Sequence, residues 1–145
     1  MIKRKTASIL LAIVSISLLV YFLWTTQIRV EFTTYFKPEY YLKFSLLIIS
    51  AMLFNAAILL FRNAKGANLA LAIFGYTVVE EILFDLIGVT AVNMPLFAYI
   101  VLFICAVPCI WIAHSNLYKT EKLSIKELMI SLVIGAFESL LPLLF

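Results

Sequence analysis

What most constrains this chain is a succession of apolar stretches, each about as long as a helix needs to be to cross a bilayer. The first, ASILLAIVSISLLVYFLWTT (7–26), contains no charged residue. Roughly 20 mostly apolar residues span a hydrocarbon core of about 30 Å. Four more stretches follow, at roughly 44–61, 68–91, 95–113 and 128–145. Inside lipid, backbone polar groups must bond within the protein, so only helices and closed barrels span it; long apolar runs are the helical case. The sequence therefore predicts an all-α, polytopic transmembrane helix bundle, one domain over 1–145, with five spans. Four spans is the alternative, because 128–145 carries Pro142 near its end and also reads as interfacial or re-entrant.

Composition agrees. Of 145 residues, 65% are apolar and the mean hydropathy is +1.11, against roughly 45–50% apolar in soluble domains. A water-soluble core of this size has no room for so much apolar surface, so lipid must be the solvent for much of it. With only 4 Gly and 4 Pro, there is no phosphate loop, no dinucleotide fingerprint and no Gly-x-Ser-x-Gly elbow. The 11 bases sit in or beside loops as flanking anchors rather than in a patch, which argues against nucleic-acid binding.

Lys3, Arg4 and Lys5 before the first stretch resemble the start of a signal peptide. The run is longer than a typical signal core and ends in Tyr21, Phe22 and Trp24 rather than at a small-residue cleavage site, so a retained first helix is expected. With the N-terminus in the cytoplasm, Lys3, Arg4, Lys5, Arg62, Lys65, Lys119, Lys122 and Lys126 lie inside, and only Arg29, Lys37 and Lys43 outside. This asymmetry predicts a multi-pass protein of the cell membrane with a cytoplasmic N-terminus. Residues 27–43 carry Phe32, Tyr35, Phe36, Tyr40 and Tyr41. Such density reads as an interfacial aromatic belt, or alternatively as a lid over a site. Residues 117–128 mix bases with Leu123, Ile125 and Leu128, which suits a short helix on an anionic surface. No internal repeat is visible. Cys105 and Cys109 share a helix face and read as small core residues; a ligand pair with His114 would lack a fourth partner, and no metal or other cofactor is expected.

The exception to the apolar pattern is YTVVEEILFDLIG (76–88). It places three acids in a stretch that contains no Lys or Arg between Lys65 and Lys119. On a helix, Thr77, Glu81 and Asp85 line one face, and Tyr76, Glu80 and Phe84 the face about 100° round. Glu80 and Glu81 fall near the middle of the 68–91 span, Glu138 near the middle of 128–145, and Asn55 just inward of the centre of 44–61. A polar layer at mid-membrane depth is the simplest geometry that unites them. An ionised acid at the bilayer centre costs about 2.5–3.5 kcal/mol on insertion scales, so these side chains are expected to face the protein interior or water. Withdrawn from water, carboxyl groups hold their protons more tightly, and Glu81 and Asp85 are close enough to share one. An acid-rich, base-poor site suits proton donation or cation binding rather than an anionic substrate. The structural alternative is that protonated acids act as interhelical glue, worth about 0.6–2 kcal/mol each.

The stretch VEEILF, Val79 to Phe84, resembles a signature of lycopene-cyclase-type membrane domains, in which a Glu-Glu pair after two earlier helices precedes aromatics. That resemblance implies that Glu80 and Glu81 protonate a polyene and drive ring closure. Thr77 and Val78 stand where that family has a Pro two residues before the pair. The same residues resemble the Glu-Glu-x-x-x-Arg motif of CAAX-type intramembrane glutamate proteases. Asp85 takes the place of the Arg, and His114 is the only histidine, so that resemblance implies a chain inactive as a protease.

The leading expectation is acid–base chemistry on an apolar, isoprenoid- or lipid-like substrate in the bilayer. Glu80 and Glu81 would be proton donor and partner, Asp85 would tune them, and Glu138 or Asn55 would close the ring, with Tyr76 and Phe84 against the substrate. A second expectation is a non-catalytic membrane subunit that packs on a partner protein or on its own copies, through Ala56–Ala57 and Gly135–Ala136. The third is a proton- or cation-coupled carrier, for which repeats and broken helices are missing.

Overall fold

The computed structural model describes residues 2–26, 33, 37, 43–90 and 94–144. Among them lie five α-helices: α1 (Arg4–Thr25), α2 (Ser45–Arg62), α3 (Ala67–Leu86), α4 (Leu96–Ser115) and α5 (Ile125–Leu140). A short 3-10 turn, Leu141–Leu144, follows α5. The described residues contain no strand. Of the five, α1, α2 and α4 are long and apolar enough to cross a membrane. At about 1.5 Å per residue, the 22, 18 and 20 residues of these helices reach roughly 33, 27 and 30 Å.

The distribution of side chains says what the solvent is. The buried face of α1 is Ser8, Leu11, Ser15, Leu18 and Phe22, spaced alternately by three and four. Its large aliphatics Ile9, Leu10, Ile13, Ile16 and Val20 are exposed. On α5 the buried positions are Ser131, Gly135 and Ser139, while Met129, Val133 and Phe137 face outward. α5 buries only small and hydroxyl residues, and both helices turn a row of bulky apolar residues outward. In water that order would be ruinous. In lipid, which offers no hydrophobic drive between helices, close backbone approach and interhelical hydrogen bonds hold a bundle together. This distribution favours lipid around the bundle.

Helices consecutive in the chain run antiparallel. The Ser8 hydroxyl donates to the Ala57 carbonyl oxygen at 2.7 Å, joining the start of α1 to the later part of α2. Phe22 meets Phe44 at the opposite end, with ring centroids 5.6 Å apart. α3 is the hub and packs against α2, α4 and α5. Gly75 of α3 allows close approach of Ile110 on α4. α3 and α5 run parallel, since Thr77 lies against Gly135 and Glu81 is beside Ser139.

Several boundaries differ from the sequence expectation. α3 stops at Leu86, not 91, because Gly88 adopts a left-handed conformation (φ 74°) and its N–H bonds back to the Asp85 carbonyl. No surface helix covers 117–128. Lys119 takes φ 52°, the chain stays irregular to Ser124, and α5 then starts at Ile125 as one continuous helix. Ser124 and Glu127 fix that start as a capping box: the Ser124 hydroxyl accepts from the Glu127 N–H and the Glu127 carboxylate accepts from the Ser124 N–H. Phe32, Tyr35, Phe36, Tyr40 and Tyr41, the aromatics expected to form a belt or a lid, lie outside the described residues. Ala56, Ala57 and Gly135 are buried within the chain, and Ala136 is half-buried.

Candidate functional site

Because α3 is covered on three sides, its acids meet protein rather than lipid. Glu81 is only 2% exposed, the deepest of the acids. One of its oxygens accepts from the Ser45 hydroxyl at 2.8 Å. Ser139 of α5 is adjacent and equally buried, yet neither its hydroxyl nor the second Glu81 oxygen makes a hydrogen bond. Glu138 is half-buried, lies within electrostatic reach of Glu81, and also has one sealed carboxyl oxygen without a donor. Asp85, one turn beyond Glu81, accepts from the Tyr99 hydroxyl of α4 at 3.3 Å. Four helices thus supply one polar cluster: α2 by Ser45, α3 by Glu81 and Asp85, α4 by Tyr99, and α5 by Glu138 and Ser139.

Glu80 faces a different neighbour. Its carboxyl is pressed onto Gly135, on the space where any other residue would carry a Cβ. That oxygen is buried and has no hydrogen-bond partner. Thr77 Cα and N also lie only 3.1 Å from that position, so a Cβ there would push the α3 backbone away by a few tenths of an ångström. Phe84, one turn past Glu80, is half-buried.

Two expected members are elsewhere. Asn55 is exposed on α2, away from the α2–α3 contact where Ser45 meets Glu81. Tyr76 shares Glu80's face by spacing, but its hydroxyl reaches back toward the basic end of the bundle and pairs with His114 Nε2 at 2.7 Å. A helical tyrosine leans toward its own N-terminus, which carries the hydroxyl away from the acids. The depth also shifts. With α3 ending at Leu86 and α5 at Leu140, Glu81 and Glu138 lie near the ends of their helices, level with Ser45 at the start of α2. The layer sits toward one end of the bundle rather than at its middle.

Ser45, Tyr99 and Ser139 were not singled out in the sequence. The spacing Ser131, Gly135, Ser139, one small residue every four, marks a close-packing stripe and was legible. Nothing in the sequence distinguishes Tyr99. A second buried polar joint lies at the other end of α3. Asn68, 1% exposed, donates from its amide to Asn116 Oδ1 at 2.9 Å and to the Glu121 carbonyl, tying the start of α3 to the α4–α5 connection.

Chemically, the Glu81 cluster can hold and pass protons. Among the described residues, no three His, Cys, Asp or Glu groups converge tightly enough to hold a metal ion. Cys105 and Cys109 are buried, unoxidised core residues of α4. Two cavities bounded by described residues flank α1, one against α4 and one along 17–25, and no acid lines either. No protein-family model, curated protein or solved structure matches the chain.

Proposed function

We propose that all five helices cross the cell membrane with the N-terminus in the cytoplasm, and that the Glu81 cluster is a proton-donating site acting on an apolar, isoprenoid- or lipid-like molecule. The observation that carries this reading is the set of sealed carboxyl oxygens without donors on Glu80, Glu81 and Glu138. Native proteins pair nearly all buried polar atoms, and the exceptions concentrate where catalysis, a ligand or an unseen proton accounts for them. A protonated carboxyl group in a dry site is a credible acid toward a double bond. In this reading Ser45 orients the Glu81 carboxyl, Glu81 gives its proton to one carbon of the double bond, and the Glu81 carboxylate so formed, with Glu138 beside it, takes a proton from a neighbouring carbon of the cation, so that the product is an isomer of the substrate. Asp85 and Tyr99 set the field beside it.

One observation favours the non-catalytic subunit instead. Glu80 is wedged against Gly135 as a packing element, and the Ser131–Gly135–Ser139 stripe already joins α5 to α3. The two readings part at Glu81. Glu→Gln keeps shape and hydrogen bonding but removes the transferable proton, whereas Glu→Leu removes both. Lipid extracts of cells expressing the parent chain should contain an apolar isomer, unchanged in mass but shifted in chromatographic retention, that disappears with Glu81→Gln, while the stability of the purified variant is kept. If Glu81→Gln and Glu81→Leu both lose about 0.6–2 kcal/mol and no product depends on Glu81, the cluster is a polar seam and the subunit reading stands.

A further inference from the structure

α1 and α4 are not packed along their whole length. They touch at the end distant from the N-terminus, where Tyr21 and Phe97 meet edge to face with centroids 4.8 Å apart. At the other end the Tyr118 hydroxyl donates to the Ile2 carbonyl at 3.1 Å. Between these clasps the two helices leave a cavity of about 350 Å³, within the range of roughly 300–1,000 Å³ typical of ligand pockets. Its walls are Leu10 and Leu11 of α1, Pro108 and Trp111 of α4, and Leu117. Leu10 is 51% and Trp111 61% exposed, so the cavity opens sideways, toward the face that lipid covers. Pro108 lacks the N–H that would complete an α4 backbone bond at this level.

Bases outnumber acids at the closed end, where Glu121 is the one acid in the connection that carries Lys119 and Lys122. Ile2 and Tyr118, which form the clasp, are each followed directly by a base, Lys3 and Lys119, both exposed. Arg4, Lys5 and Lys122 are close in sequence. Lys119 is held in a left-handed conformation (φ 52°) at the turn that presents it. An apolar slot with a lateral opening and a cationic end matches one kind of molecule: a chain of methylenes with a negative head. Polybasic segments beside a span attract anionic headgroups, and the slot gives the tail a place that a merely annular lipid lacks.

We infer that the α1–α4 cavity is a site for one acyl chain of an anionic glycerophospholipid, whose headgroup is held by Lys3 and Lys119. The inference does not depend on the acid cluster, which lies at the opposite end of the bundle. The test uses the full chain in nanodiscs that contain a phosphatidylglycerol, or a phosphatidylcholine, with a diazirine in its acyl chain. After irradiation, peptide mass spectrometry should place phosphatidylglycerol adducts on 7–11 and 108–118, about fivefold above phosphatidylcholine. Leu10→Trp, which fills the opening, should lower those adducts by about fivefold while circular dichroism stays that of the parent. Lys3→Gln with Lys119→Gln should remove the headgroup preference but leave the tail position. Adducts spread evenly over exposed positions such as Ile13, Val133 and Phe137, and indifferent to headgroup and to Leu10→Trp, would mean annular lipid only and overturn the site. Protection of 7–11 by crosslinks between copies of the chain would equally overturn it, in favour of a self-association face.

Discussion

Gly135→Ala is the smallest change that tests how α5 is seated on α3. The added Cβ would fall on the Glu80 carboxyl and 3.1 Å from both Cα and N of Thr77. The carboxyl is the far end of a side chain and can swing. The Thr77 backbone is part of the hub helix and cannot, so α5 must move away by several tenths of an ångström along the whole Ser131–Gly135–Ser139 stripe. Overpacking of this kind costs about 1–3 kcal/mol. Against it stands the helix preference of alanine over glycine, up to about 1 kcal/mol. The expected net loss is therefore about 0–2 kcal/mol, and Gly135→Leu, whose bulk has nowhere to go, should lose more than about 3 kcal/mol. Glu80→Ala removes the movable obstacle but not the backbone one, so the double variant should recover only part of the loss. Equilibrium unfolding in mixed micelles, followed by far-ultraviolet circular dichroism, reads all four chains of this cycle. A Gly135→Ala variant more stable than its parent by the full helix-preference gain would refute the seating of α5 on Thr77.

Asn68→Leu should cost about 1–3 kcal/mol, because it leaves Asn116 and the Glu121 carbonyl without their buried donor; denaturation in micelles measures it, and a silent substitution would remove the joint from the account. Ser45→Ala should cost about 0.6–2 kcal/mol, and Glu81→Leu should add little on top of it if the two groups act as one interhelical bond. Ser124→Ala should cost about 0.5–2 kcal/mol through loss of the α5 cap. Glu127, at the exposed start of that helix, is held below the usual glutamate range by the Ser124 N–H and hydroxyl. Its contribution is present above the ordinary carboxyl range and is lost as pH falls through the lowered value, so an acid titration of parent and Ser124→Ala chains should converge at low pH. A cysteine placed at Ala64 should resist a membrane-impermeant thiol reagent in intact cells and react after permeabilisation; labelling from outside would reverse the orientation.

How much was legible depends on the range of the interaction. The apolar stretches and the lack of charge within 7–26 required helices in lipid, because a backbone without water must bond to itself. Glu81 stood out by the same logic, since a charge-free stretch makes an acid conspicuous before any contact is known. The Ser124–Glu127 capping box and the small-residue stripe on α5 are local patterns, and were there to be read. Which acid is buried was not. A helix wheel puts Glu80 and Glu81 on adjacent faces but does not say which neighbour covers each face. Glu81 meets Ser45 and Ser139 while Glu80 meets bare glycine, because α3 became the hub and α5 settled parallel to it. Asn55 and Tyr76 show the same limit from the other side. Each has the right residue type at a plausible depth, yet Asn55 is exposed and Tyr76 bonds to His114. Depth in the membrane is counted along one helix. Company is decided between helices, by packing that no single stretch of sequence contains.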